Sequence, residues 1–267
     1  MNAEIVLSRL VACLDQHRSL AIAVSGGVDS MMLAHIAHHL CRVEAVMYHA
    51  HGPAVPLLAR GRVEEHASRH GWNLVLIDAR ELEDSRYWKN PVDRCYYCKT
   101  NLYTRIRQYT AYPIASGTNI DDLSDYRPGL VAAEENGVIH PFVEAGVDKK
   151  TIYELARTLG FSDLERLPAQ PCLASRIETG IVVSRADLKF IDEVESKLRV
   201  QLGDDEVVRC RVTALGVLIE LSTVEDQNVV AIANSIGQRA CHEHNRKFSG
   251  LRPYHRGSAF IQKSGNE

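Results

Sequence analysis

Apolar residues follow two alternating rhythms between residues 20 and 160. Short, mainly apolar runs stand at 20–24, 43–48, 73–78 and 112–116, with a briefer one at 138–140. Runs of about four to eight such residues, bounded by turn formers, read as buried strands. Between them, 31–37 and 59–70 carry apolar residues at helical spacing, the second closed by Gly71, and a third helical stretch at 149–159 ends at Gly160. Glycine just past a helix is a natural stop because it accepts a left-handed backbone. Strands alternating with helices predict βα units and an α/β fold with a doubly wound parallel sheet. Ligands of such sheets collect at the carboxyl ends of the strands.

Beyond Phe161 the rhythm changes. A proline-containing segment at 167–172 leads to a helical pattern at 184–198. Residues 207–212 and 217–221 alternate like an antiparallel pair around a turn at 214–216. A helix at 226–236 and a last strand near 245–248 complete a small α+β module. The expected organisation is therefore an α/β domain over residues 1–165 and an α+β domain over 166–267, the second opening with the linker that carries Cys172.

A chain of 267 residues that is 45% hydrophobic can bury a full core of this kind. The formal charge of −3 gives no global attraction to nucleic acid or an anionic membrane. The opening residues carry Glu4 and read as an amphipathic helix rather than an export signal. No apolar run approaches the ~20 residues that span a bilayer. Seven cysteines without an export signal point to a reducing cytoplasm, where thiols have chemical rather than stapling roles.

The first strand runs into Ser25-Gly26-Gly27-Val28-Asp29-Ser30, and a helix follows at once. Two glycines at a strand-to-helix turn let backbone N–H groups approach an anion, and the helix dipole favours it. Ser25 and Ser30 add hydroxyl donors, and Asp29 could hold Mg2+. No lysine follows the glycines, so this is not a Walker A loop, and no Gly-x-Gly-x-x-Gly is present. The six residues resemble the PP-loop of the ATP pyrophosphatases, which split ATP into AMP and pyrophosphate while adenylating a substrate. A serine-capped Gly-Gly turn is the bland alternative.

Cys95-Tyr96-Tyr97-Cys98 is the second chemical signal, and Cys172 in Pro171-Cys-Leu-Ala-Ser-Arg176 is the third. A C-x-x-C pair can serve one metal or one disulfide. Zinc needs further ligands, His140 among the options, and a redox dithiol lacks a thioredoxin-like setting. Three cysteines can hold an iron–sulfur cluster with one iron left open. Two small apolar groups packed on a helix remain the structural alternative.

The motifs Asn90-Pro-x-Asp-Arg-Cys-Tyr-Tyr-Cys-Lys99, Gly117-Thr-Asn-x-Asp-Asp122, Asp125-Tyr-Arg-Pro-Gly129 and Pro171-Cys-Leu-Ala-Ser-Arg-Ile177 together resemble the LarE family. These are ATP-dependent sulfur transferases of nickel-pincer cofactor biosynthesis. The resemblance runs from the Ser25 loop to Arg256-Gly-Ser258. It implies adenylation of a carboxylate on a pyridinium-type mononucleotide, then replacement of AMP by sulfur. Some members sacrifice the sulfur of the cysteine matching Cys172. Members with three cysteines are similar to holders of a [4Fe-4S] cluster, and this chain has all three.

The resemblance implies ATP and pyrophosphate contacts from Ser25, Gly26, Gly27, Asp29, Ser30, Gly117, Thr118 and Asn119. Asp29, Asp121 and Asp125 are possible Mg2+ ligands, with Asp122 beside them, and helix capping is the alternative for the aspartates. Cys172, Asp29 and Arg176 form the implied catalytic set, and Arg176 could hold a phosphate or carboxylate. Arg209 and Arg211 share one strand face and match a pair used near substrate phosphate. Arg246, Lys247, Arg252 and Arg256 could support it. The resemblance also implies a homo-oligomer and a sulfide or sulfur-donor protein as partner. Cys13, Cys41, Cys210 and Cys241 read as packing residues, the twelve histidines form no metal cluster by spacing, and His49 and His51 are weak substrate-contact candidates. A PP-loop tRNA thiolase is the second enzymatic reading, opposed by the negative charge and the lack of an appended basic domain. A non-enzymatic ATP-binding module or an amide-forming synthetase would leave the three thiols unexplained.

Overall fold

The computed structural model describes residues 3–124, 127–203 and 205–255. In chain order its elements are α1 (Ala3–Leu14), β1 (Ser19–Ala23), α2 (Val28–Leu40), β2 (Glu44–Ala50), α3 (Leu57–His70) and β3 (Asn73–Ile77). They continue with α4 (Ser85–Trp88), α5 (Arg94–Tyr109), β4 (Ile114–Ser116), α6 (Pro128–Glu135), α7 (Pro141–Ala145) and α8 (Lys149–Thr158). The remainder are α9 (Arg185–Leu202), β5 (Val208–Thr213), β6 (Gly216–Leu221), α10 (Gln227–Glu243) and β7 (Phe248–Pro253). The chain forms two compact units, one of Met1–Glu81 with Asp93–Gln170, the other of Leu82–Val92 with Pro171–Glu267.

The first unit holds a parallel sheet in the order β3-β2-β1-β4. Side chains alternate across it with period two. Leu20, Ile22 and Met47 enter one core with Leu10 and Leu14 of α1, Met31, Met32 and Ile36 of α2, Val63 of α3 and Ile152 of α8. Ala21, Ala23, Val46, Tyr48 and Ile77 enter a second core with Tyr103 and Ile106 of α5 and Ala133 of α6. A sheet covered by helices on both faces must be apolar on both, so its strands read as unbroken apolar runs. Burying each Leu, Ile or Met contributes about 1.5–3 kcal/mol. The doubly wound α/β architecture is the one the sequence pattern predicts.

The strands step outward from β1 to β2 to β3, and the chain then returns to the far side of β1 for β4. The strand order thus reverses at the β1/β4 pair, and the crevice beyond their carboxyl ends is where such sheets take ligands. The fifth strand expected at 138–140 is a single parallel bridge, Ala115 to Ile139. Pro141 opens α7 immediately afterwards and cannot donate to a ladder. The helices α5, α6 and α7 go unassigned by the apolar pattern; α5 buries only Arg94, Tyr103 and Ile106.

In the second unit β5 and β6 form the expected antiparallel pair, and β7 adds parallel to β6. The last strand begins at Phe248 rather than near Asn245 because Asn245, at φ 51°, turns the chain out of α10. Ser184 caps α9 by accepting from the Asp187 N–H at 3.0 Å, and Asp226 caps α10. Residues 82–92 join this unit by main-chain bonds, Val183 N–H to Trp88 O at 2.8 Å and Gly180 N–H to Asn90 O at 2.9 Å. Among the described residues, no helix is long and apolar enough to cross a membrane.

Candidate functional site

The loop between β1 and α2 is built around two different glycines. Gly26 has φ 84°, and a Cβ there would stand 2.6 Å from the Ala59 carbonyl oxygen. Both the backbone and the close approach of α3 therefore require glycine. Gly27 has ordinary extended angles, φ −81° and ψ 156°, and its virtual Cβ meets only Ser25 Oγ at 3.5 Å. Packing does not require glycine at 27. Gly27 is also the N-cap of α2 with no side-chain capping bond.

Ser30 ties the turn together. Its hydroxyl accepts from Ser25 N–H at 3.0 Å and donates to Gly27 O at 3.1 Å, with Ser25 Oγ 3.1 Å away. Arg62 on α3 donates to Gly26 O at 2.8 Å and to Gln170 Oε1 at 2.9 Å. This turns the Gly26 carbonyl toward α3. Gly117, just past β4, packs so tightly on α2 that a Cβ would lie 2.6 Å from Ser30 N.

Asp29 stands in the first turn of α2, and both its oxygens meet Lys149 Nζ, at 2.7 and 2.6 Å. Asn119 Nδ2 donates to the same carboxylate at 3.3 Å. Burial pushes the Asp29 carboxyl above its ordinary range, and the Lys149 ammonium pulls against that shift. Asp121 accepts the Lys149 N–H at 2.9 Å and donates its own N–H to Asn119 Oδ1 at 3.0 Å. Asp122 accepts the Asn119 N–H and pairs with Arg127. Thr118 Oγ1 lies 2.9 Å from Ser116 Oγ, which also contacts His140 Nδ1 at 2.9 Å. Ser25, Ser30, Asp29, Gly117, Asn119 and Asp121 thus occupy one crevice edge, and Asp125 lies outside the described residues.

Sequence reading overlooks Lys149 and Arg62. Lys149 did carry a signal: a lysine at the first position of a helix opposes the dipole and needs a local anion. His49, a weak substrate-contact candidate by sequence, lies beside the same loop. It is buried, its Nδ1 lies 2.8 Å from Val24 O, and its Nε2 has no partner. A ring nitrogen facing a carbonyl must carry the proton, so Nε2 is a bare acceptor beside the loop. Burial keeps this imidazole below its ordinary pKa.

Cys95 and Cys98 stand one turn apart at the start of α5. Cys172 belongs to the second unit and precedes a short 3-10 turn, its carbonyl accepting from Ser175 Oγ at 2.7 Å. The other four cysteines match the packing role. Burial, with help from Glu144, pushes Cys13 up to about 12, and burial pushes Cys41 up to about 12. It also raises Cys210 and Cys241. Thiols held protonated are poor nucleophiles and poor ligands.

Arg176 points inward. It is 2% exposed, and its Nε and Nη2 donate to both oxygens of Glu195, at 2.9 and 3.0 Å. Its Nη1 donates to Pro171 O at 2.6 Å and Cys172 O at 3.1 Å. These contacts tie Arg176 to α9 and to the Cys172 turn. Arg209 and Arg211 share a face of β5 but have different surroundings. Arg211 donates to Glu220 at 2.8 Å and to Ser175 O at 2.6 Å. Arg209 donates to Val208 O at 2.8 Å and lies over the Tyr254 ring. Burial and the Arg176 charge push its pKa down to about 10. Arg246 pairs with Asp187 and Arg252 with Glu220, whereas Arg256 is outside the described residues.

No protein-family model matches the chain. It is 33% identical over 193 residues to the uncharacterized protein slr1717 of Synechocystis sp., covering 70% of each chain. It is 30% identical over 188 residues to the uncharacterized protein MJ0830 of Methanocaldococcus jannaschii, covering 69% of this chain and 71% of that one. It is 27% identical over 197 residues to the pyridinium-3,5-bisthiocarboxylic acid mononucleotide synthase of Lactiplantibacillus plantarum, covering 71% of this chain and 70% of that one.

Proposed function

Starting from a chain that belongs to one LarE-like family with these relatives, we propose that it is an ATP-dependent sulfur transferase acting on a carboxylated mononucleotide. The observation that carries the ATP half is the uncapped start of α2 at Gly27, open at its Cβ and flanked by the Ser25 and Ser30 hydroxyls. N–H groups at a helix N-terminus without a side-chain cap suit the pyrophosphate end of ATP. Asp29 would hold Mg2+ there, and Lys149 would neutralise charge on the departing pyrophosphate. The unpartnered His49 Nε2 offers an acceptor to a nucleotide N–H or O–H.

The acceptor carboxylate attacks the α-phosphorus, the bond to pyrophosphate breaks, and an acyl-adenylate forms. Sulfide then attacks the acyl carbon, and AMP leaves with the C–O electron pair to give a thiocarboxylate. A [4Fe-4S] cluster bound by Cys95, Cys98 and Cys172 would supply that sulfide from its open iron. The donor set suits it, since Cys95 and Cys98 stand one turn apart on α5 and can face one centre. Arg209, two positions from Arg211 on the same face of β5, would take the acceptor phosphate, and Arg176 would orient the Cys172 turn.

The test is anaerobic iron and sulfide analysis, combined with pyrophosphate release and product mass on a carboxylated pyridinium mononucleotide. Acceptor-dependent pyrophosphate release with about one cluster per chain is the expected result. In Cys98→Ala the iron and repeated sulfur transfer should disappear while pyrophosphate release persists. A wild type that stops after one turnover, with Cys172 converted to dehydroalanine by loss of hydrogen sulfide and Cys98→Ala fully active, replaces the cluster with a single-use donor. Absence of any acceptor-dependent pyrophosphate release removes the enzyme reading.

A further inference from the structure

Three histidines that spacing does not connect come together in the first unit. His35 and His39 are one turn apart on α2, and His70 ends α3. One ring nitrogen from each lies within 4.8 Å of the other two. His35 is 1% exposed, stacked on Phe161 at 3.9 Å between ring centroids and edge-on to Trp72 at 4.6 Å.

A hydrogen-bonded chain sets the tautomer of His35. Asp163 Oδ2 lies 2.7 Å from His66 Nε2, and His66 Nδ1 lies 2.8 Å from His35 Nε2. An ionised carboxylate only accepts, so His66 carries its proton on Nε2. A neutral His66 then presents Nδ1 as an acceptor, and His35 must donate from Nε2. His35 Nδ1 is left as a bare lone pair, buried and without a partner. Unsatisfied buried polar atoms are uncommon and ask for an explanation.

We propose that His35, His39 and His70 form a three-imidazole site for a divalent transition metal of the zinc–nickel class. Imidazole ligands select this class over magnesium or calcium. A ligating histidine ordinarily donates its other ring N–H to a supporting group, as His35 does to His66 and, through it, to Asp163. Metal–nitrogen bonds of about 2.0–2.1 Å draw ring nitrogens to roughly 3.4 Å apart in tetrahedral geometry. Rotation of the exposed His39 and half-exposed His70 rings toward the fixed His35 supplies that movement. Three protein ligands leave the fourth position to water on the open side. The ion would fasten α2, whose other end carries the Ser25 loop, to α3, whose Arg62 holds Gly26.

The test dialyses the full-length protein against Zn2+ or Ni2+, then measures bound metal per chain after gel filtration and the thermal midpoint. The expected result is one equivalent that raises the midpoint, persists in Cys98→Ser and is absent in His39→Ala and His70→Ala. Both rings lie toward the surface, so these variants should fold. Asp163→Ala should keep the site but weaken it at least about ten-fold, because it removes the supporting partner. If His39→Ala and His70→Ala bind as much metal as wild type, or if the only bound metal is lost in Cys98→Ser, the histidines are a packing cluster alone.

Discussion

Two adjacent glycines in the loop after β1 should fail in opposite ways when given one methyl group. In Gly26→Ala the new Cβ stands on a backbone at φ 84° and 2.6 Å from the Ala59 carbonyl oxygen. The positive φ costs a β-carbon about 1–2 kcal/mol. Forcing backbone apart in a packed region adds about 1–3 kcal/mol. The expected loss is therefore about 2–5 kcal/mol, read in urea denaturation. In Gly27→Ala the angles are ordinary and the nearest atom is Ser25 Oγ at 3.5 Å. Stability should change by under about 1 kcal/mol and can rise, because alanine restricts the unfolded chain. The same methyl lies where phosphate must approach the helix-end N–H groups. Loss of one charge-assisted hydrogen bond, about 1.5–3 kcal/mol, lowers pyrophosphate release roughly ten- to a hundred-fold. The assay pair is denaturant midpoint and acceptor-dependent pyrophosphate release on both variants. Gly27→Ala with wild-type turnover, or as unstable as Gly26→Ala, would refute the assignment of this loop.

Lys149→Met should lower pyrophosphate release and move the acid limb of the pH–rate profile upward, since burial raises the Asp29 pKa and Lys149 opposes the rise. An unmoved limb means that Asp29 does not set it. Wild-type Asp29 binds its proton more tightly folded than unfolded. Its contribution to stability is thus complete in acid and fades as pH rises past the ordinary carboxylate range, so the stability curves of Asp29→Asn and wild type should diverge with rising pH. Arg176→Ala leaves Glu195 buried without its main partner and should cost about 3–5 kcal/mol in chemical denaturation. Normal stability with selective loss of acceptor binding would make Arg176 an anion ligand after all. Arg209→Ala should weaken acceptor binding about ten- to a hundred-fold with ATP affinity unchanged. Calorimetry showing the loss on ATP instead would reassign that side chain.

Much of the fold is written in short stretches of chain. The runs at 20–24 and 45–48 are apolar on every position because both faces of a parallel strand are covered, and that needs no knowledge of which helices cover them. Glycine stops and serine or aspartate caps mark helix ends within three or four residues, as at Gly71, Ser184 and Asp226. The strand–loop–helix at Ser25 and the i, i+3 thiols at Cys95 and Cys98 are legible on the same local terms. The helix that carries those thiols is not, because α5 buries few apolar groups and so shows little periodicity.

Sequence by itself therefore determined the class of the fold, the strand–loop–helix at Ser25 and the spacing of the Cys95 and Cys98 thiols. Only the tertiary structure decided how those residues are partnered. Lys149 reaches Asp29 across 120 positions because β4 returns to the far side of β1 and brings α8 to the crevice. Arg176 turns inward because Glu195, nineteen positions away on α9, offers it a buried carboxylate, a choice no local pattern encodes. His35, His39 and His70 meet only where α2 and α3 pack. Local periodicity and capping depend on free energies within a turn or two of chain, whereas partner choice depends on topology, which strand order alone supplies.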